Sequence, residues 1–208
     1  MTYWLQALAT GAPDIVAAYE GIEEGKFISV RREVRRRAGP GSAERVVEGL
    51  AAIADALADI VGRLPAAAFA APGGEEDWTV AEAIGHDITA REGLAYAGAL
   101  AASGRWPAGA GPVVPGVPGP RDASRERLLA GIARSQKIIA RAARSISGHE
   151  TDLCPLEHPL VGRLRCGEWL LFAGVHDLMH LEQLHRIEAG FARAIGFPTA
   201  SGGVGRLG

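Results

Sequence analysis

One stretch restricts the fold more than any other: Arg165 to Ala189, RCGEWLLFAGVHDLMHLEQLHRIEA. At about 100° per residue it reads as a helix with two apolar faces. One face carries Trp169, Phe172, Ala173, His176, His180, Gln183, Leu184 and Ile187. The opposite face carries Leu170, Leu171, Leu178 and Leu181, with Val175 beside them. A helix apolar on both sides is buried on both sides. A bundle alone leaves its outer face to water, so the N-terminal segment or a second subunit is expected to cover it. His185 lies on that outer face and is given no part in a site.

His176 and His180 stack about 5.4 Å apart along the face turned to the core. Two charged imidazoles are unfavourable there, whereas a metal ion would satisfy both as neutral ligands. The spacing is also that of zincin proteases. Asp177 stands where those need a glutamate, and its shorter side chain places a general base poorly. The pattern alone leaves two structural histidines as the other reading. Gln183, one turn beyond His180, is placed to hydrogen-bond inside the same pocket.

The rest of the chain reads as helices. Residues 14–37 carry Ile15, Tyr19, Ile22, Val30 and Val34 at helical spacing and end in Arg31, Arg32, Arg35, Arg36 and Arg37. Such cations suit a helix C-terminus, so a solvated helix end is expected rather than an anion-binding patch. Ser42 is a candidate cap for a helix over 43–64, periodic in Val46, Leu50, Ile53, Leu57 and Ile60 and closed by Pro65. Thr79-Val80-Ala81-Glu82 fits a capping box and opens a helix to about Ala102. His86 lies on it among small residues that leave room beside its ring, which makes it a candidate third ligand. Glu82 and Asp177 are candidates for orienting the imidazoles, although Asp177 points sideways from the histidine stripe. Residues 103–121 are rich in Gly and Pro, a connection longer than usual, with Trp106, Val113 and Val114 favouring partial order. Asp122 is a candidate cap for a helix to about Ser147, and residues 148–164 read as irregular. No segment shows sustained two-residue alternation. The expected architecture is all-α: a four-helix bundle over 42–197, an N-terminal helical extension over 1–41 and a flexible Gly-rich tail over 198–208.

The 208 residues suffice for one domain with a real core, and a net charge of −2 gives no global pull toward nucleic acid. The two cysteines, Cys154 and Cys166, match neither a zinc nor a redox spacing and suggest a reducing compartment. Neither a secretory leader nor an apolar run of about 20 residues is visible. A cytoplasmic protein without membrane or nucleic-acid partners is expected.

Two motifs carry a resemblance to a known family. Asp77-Trp78-Thr79-Val80-Ala81-Glu82-Ala83-Ile84-Gly85-His86 resembles the Trp-Ser/Thr…His signature of the DinB-like superfamily. Gly167-Glu168-Trp169-Leu170, followed by His176-Asp177-x-x-His180-x-x-Gln183, resembles its last-helix signature. The resemblance covers roughly Ser42 to Ile195. It implies an antiparallel four-helix bundle with a long crossover, a divalent metal, zinc or nickel, on His86, His176 and His180, and a homodimer. Relatives include mycothiol-dependent maleylpyruvate isomerases, bacillithiol S-transferases and metal-dependent hydrolases. The expected activity is metal activation of a low-molecular-weight thiol, or of water, toward a small electrophilic substrate. Hydrolysis and metal or ligand binding without turnover are the alternatives. The extension and the 103–121 loop depart from the family pattern and are expected to reshape the pocket entrance.

Overall fold

The computed structural model describes residues 2–23, 25–74, 77–109 and 116–194. These residues are mostly helical. The order is α1 (Tyr3–Leu8), α2 (Pro13–Glu20), α3 (Phe27–Arg37), α4 (Ser42–Arg63), a short 3-10 turn (Ala66–Ala70), α5 (Val80–Ala102), α6 (Arg125–Ile146), strands β1 (Leu153–His158) and β2 (Gly162–Arg165), and α7 (Cys166–Ala194). The expected tail lies outside the described residues, as do Val113 and Val114 of the crossover.

The four long helices share one core. α5 packs on α6 and α7, and α4 closes the ring by packing on the same two. The expected stripe of α4 is buried throughout: Val46, Leu50, Ile53, Leu57 and Ile60 are each about 1% exposed or less. Thr79 and Glu82 form the expected capping box at the start of α5. Two other caps differ from expectation. Gly41, with φ +72°, holds the N-cap of α4 and Ser42 begins the helix. Ser124 caps α6, its hydroxyl accepting from Arg127 N–H, and Asp122 lies before it.

The N-terminal segment departs from the single helix expected over 14–37. That range forms two short helices, α2 and α3, because Gly21 and Gly25 interrupt the periodicity and Gly25 adopts φ +71°, and α1 precedes them. These helices lie on α7 and cover the outer face whose apolar residues demanded a partner. Ile15 presses on Gly174, where an added Cβ would stand 2.7 Å from Ile15 Cδ1. Arg35 grips the buried carboxylate of Glu168 with two hydrogen bonds, Nε to Oε1 at 2.7 Å and Nη2 to Oε2 at 3.2 Å. Tyr19 Oη donates to Glu182 at 2.7 Å. The basic end of α3 is spent within the fold: Arg32, Arg36 and Arg37 surround the buried Glu33.

The segment read as irregular, 148–164, contains an antiparallel hairpin with His158 opposite Gly162. This corrects the all-α expectation. Cys154, Leu156 and His158 turn inward, alternating with outward Leu153, Pro155 and Glu157. That two-residue period spans only one strand and is interrupted by Pro155, which hides it in the sequence. The crossover is docked on α5 as it approaches α6. Gly119 N–H donates to Glu82 O at 2.9 Å, and Gly119 and Gly85 meet backbone to backbone. A Cβ on Gly119 would stand 2.5 Å from Gly85 Cα, so this approach requires both glycines.

Candidate metal centre

α5 and α7 bring His86, His176 and His180 together. The rings of His86 and His176 lie 5.3 Å apart, those of His86 and His180 5.3 Å, and those of His176 and His180 4.6 Å. One ring nitrogen from each lies within 4.8 Å of the others. His180 is buried, and His176 and His86 face a cavity beside it.

Each imidazole is turned by an oxygen acceptor at its Nδ1. The crossover carbonyl of Val117 lies 2.9 Å from His86 Nδ1. Gln183 Oε1 lies 2.8 Å from His180 Nδ1. Asp87 Oδ1 lies 3.4 Å from His176 Nδ1. Nδ1–H donation to Val117 O and Gln183 Oε1 leaves Nε2 of His86 and His180 as the lone-pair nitrogen, and His176 Nδ1 faces Asp87 at ion-pair distance. Three neutral imidazoles oriented in this way are a fit donor set for a divalent ion. Burial lowers the His86 pKa, against its bond to the Val117 carbonyl, and so favours the neutral ring a metal needs.

A buried charge network lies behind the rings. Arg91, fully buried, donates through Nε to Asp177 Oδ2 at 2.9 Å and through Nη1 to Ser135 Oγ at 2.7 Å. Burial would raise the Asp87 carboxyl. Its neighbours His176, His180 and Arg91 outweigh that and hold the group below its ordinary carboxylate range. Burial raises the Asp177 carboxyl, with Arg91 pulling it down and Asp87 pushing it up. Asp87, His176 and Asp177 also lie within 4.8 Å of one another. Arg91 already supplies the cation on Asp177.

Of the three residues expected to orient the imidazoles, Gln183 contacts one. Its amide nitrogen also donates to Gly73 O, tying His180 to the loop before α5. Glu82 is occupied elsewhere, accepting from Thr79 N and Oγ1 and pairing with Arg121 at 3.7 Å. Asp177 is held by Arg91. Asp87 was not anticipated. It directly follows His86, so its side chain leaves α5 about 100° away from that ring. It meets His176 only because α7 packs on that side, and its sequence signal was limited to a carboxylate one turn before Arg91.

The cavity, about 460 Å³, opens from His86 and His176 between five parts of the chain. Phe27 and Val30 of α3 and Leu156 of the hairpin line it, with Leu94 of α5, Phe172 of α7 and Val117 of the crossover. The extension and the crossover therefore both shape the pocket. No helix of the described residues is long and apolar enough to cross a membrane.

A family model described as the DinB superfamily matches residues 50–184. The match runs from α4 to α7 and encloses all three histidines, Asp87 and Gln183. No curated protein and no solved structure matches the chain.

Proposed function

The chain belongs to the DinB superfamily, and from that premise we propose that it is a metal-dependent enzyme acting on a small electrophilic substrate. In this reading α4 to α7 are the antiparallel bundle, residues 42–197 are its domain, residues 1–41 are the extension, and the protein works as a cytoplasmic homodimer. Because α1 to α3 already cover the outer face of α7, the dimer contact would use another surface.

The observation that carries the reading is the common orientation of the three imidazoles, each Nδ1 turned to an oxygen. His86, His176 and His180 would hold the ion, zinc or nickel, beside the cavity that His86 and His176 line. A divalent ion held by these residues would lower the pKa of a thiol or water and so supply a nucleophile near neutral pH. Gln183, Asp87 and the Val117 carbonyl fix the rings in the tautomer that keeps Nε2 available. The apolar walls exclude bulk water and seat the electrophile beside the histidines. Transfer of a low-molecular-weight thiol is the version we favour, on the family resemblance. Hydrolysis is the second reading, favoured by the absence of charged side chains among the described lining residues.

The test is metal analysis of untagged protein, followed by rates with mycothiol, bacillithiol, glutathione or coenzyme A and a generic electrophile. Near-stoichiometric zinc or nickel, lost in His176→Ala, is expected, with a metal-dependent rate above background for one thiol. A metal-dependent rate without any thiol selects hydrolysis. Absence of metal at neutral pH, with folding indifferent to chelator, overturns the metal reading.

A further inference from the structure

The cavity that the preceding reading assigns to the electrophile also restricts its chemistry. Its walls come from α3, α5, the hairpin and α7, and none of its described lining residues is Lys, Arg, Asp or Glu. Its mouth is apolar too: Phe27, Val117, Leu160 and Met179 are each about half exposed. A carboxylate or phosphate moved into such a space loses its water and meets no compensating side-chain cation in the walls.

The polar groups along the walls are few. His86 and His176 are the proposed ligands. Thr89 donates its hydroxyl to Gly85 O at 3.0 Å and is satisfied within its own helix. His158 is different. It ends β1, and its Nδ1 accepts from the turn, from Leu160 N–H at 3.2 Å and Val161 N–H at 3.4 Å. An accepting Nδ1 carries no proton, so the ring proton sits on Nε2. The ring is wedged edge-to-face against Phe172, with centroids 5.5 Å apart, which limits its rotation. Among the described residues, nothing accepts a hydrogen bond from its Nε2–H. Burial also lowers the His158 pKa, with the nearby His176 adding, so the ring offers a neutral donor rather than a cation.

We infer that the electrophile is an uncharged molecule with an apolar body and one carbonyl-type acceptor, and that His158 is the specificity-determining residue that binds this acceptor. This rests on the proposed function for the role of the ligand. The pocket chemistry itself is tested without turnover.

The experiment compares three probes with one aromatic body: acetophenone, with a carbonyl acceptor, ethylbenzene, with none, and benzoate, which is charged. Binding to the full chain is measured by ligand-observed NMR titration at pH 8, on chelator-treated and on zinc-loaded protein. In chelator-treated protein no ion can recruit the carboxylate. Acetophenone is expected to bind about fivefold tighter than ethylbenzene and more than about tenfold tighter than benzoate. His158→Phe, which keeps a ring and removes the donor, is expected to abolish the preference for acetophenone over ethylbenzene. His158→Gln, which returns an N–H near the same place, is expected to restore part of it. In chelator-treated protein, benzoate binding as well as acetophenone overturns the inference. So does an unchanged preference in His158→Phe, or no acetophenone binding at millimolar concentration. Metal content is read separately. A protein that takes up no zinc but keeps the probe order refutes the metal reading and retains the pocket chemistry. A zinc protein without the probe order does the reverse.

Discussion

Gln183 Oε1 stands 2.8 Å from His180 Nδ1, while the same amide donates to Gly73 O on the loop before α5. One buried amide thus orients a proposed ligand and fastens α7 to the loop that starts the other histidine helix. Gln183→Leu removes both bonds at similar volume. Zinc affinity, measured by competition with a chromophoric chelator, is expected to fall about 10- to 100-fold with the helical content retained. Unchanged affinity would mean that the tautomer of His180 is fixed by something else.

The contact of Gly119 with Gly85 carries a second expectation. It holds the crossover so that the Val117 carbonyl reaches His86. Gly119→Ala has to push the crossover away and withdraw that acceptor. The expected result is zinc binding weakened through His86, with Gly62→Ala, where an added Cβ meets open space, as the harmless control. Equal affinities in both variants would break the link between this backbone approach and the site.

Arg91 and Asp177 are each 0% exposed and joined at 2.9 Å. Removing one partner strands a buried charge. Arg91→Met is expected to destabilise the protein by about 3–5 kcal/mol, read from urea denaturation. The double variant with Asp177→Leu is expected to recover much of that loss, because the carboxylate bonded to Arg91 is removed with it. A double variant no more stable than Arg91→Met would show that the network matters for packing rather than for charge.

The arginines around Glu33 give a pH expectation. Hydrogen bonds from Arg37 and then Arg32 hold its carboxyl at about 2, below its ordinary 4.5. A depressed folded pKa contributes stability that is present above the unfolded value, declines as pH falls below about 4.5 and is gone below about 2. Glu33→Gln is therefore expected to be less stable than the parent at pH 7. The gap should close as both are titrated from pH 4.5 toward 2, followed by tryptophan fluorescence in denaturant. A gap independent of pH would place the effect in packing against Gly21, whose added Cβ would stand 2.7 Å from Glu33.

The sequence made the helices legible wherever one periodicity dominated. The stripe of α4 and the capping box at Thr79 and Glu82 could be read from local rules alone. So could the adjacency of His176 and His180, since one helix suffices to place them. What stayed hidden depends on which elements pack together. Asp87 reaches His176 only through the pairing of α5 with α7, and Glu82, plausible by proximity to His86, is consumed by its own cap. The split between α2 and α3 follows from Gly21 and Gly25, whose backbone freedom outweighs the apolar spacing across them. His158 sits on a strand too short and too broken by Pro155 to announce itself.

The proposed ligands are also ordered along the chain in a way that bears on its synthesis. His86 leaves the ribosome early, whereas His176, His180 and Gln183 lie in the last long helix. A nascent chain ending before residue 176 holds one of the three imidazoles and lacks most of the helix on which α2 and α3 pack. Occupancy of the centre would thus report that translation has reached the last helix and that this helix has inserted. A chain that stops before residue 176 would be distinguishable from one that contains α7 by its failure to retain the ion.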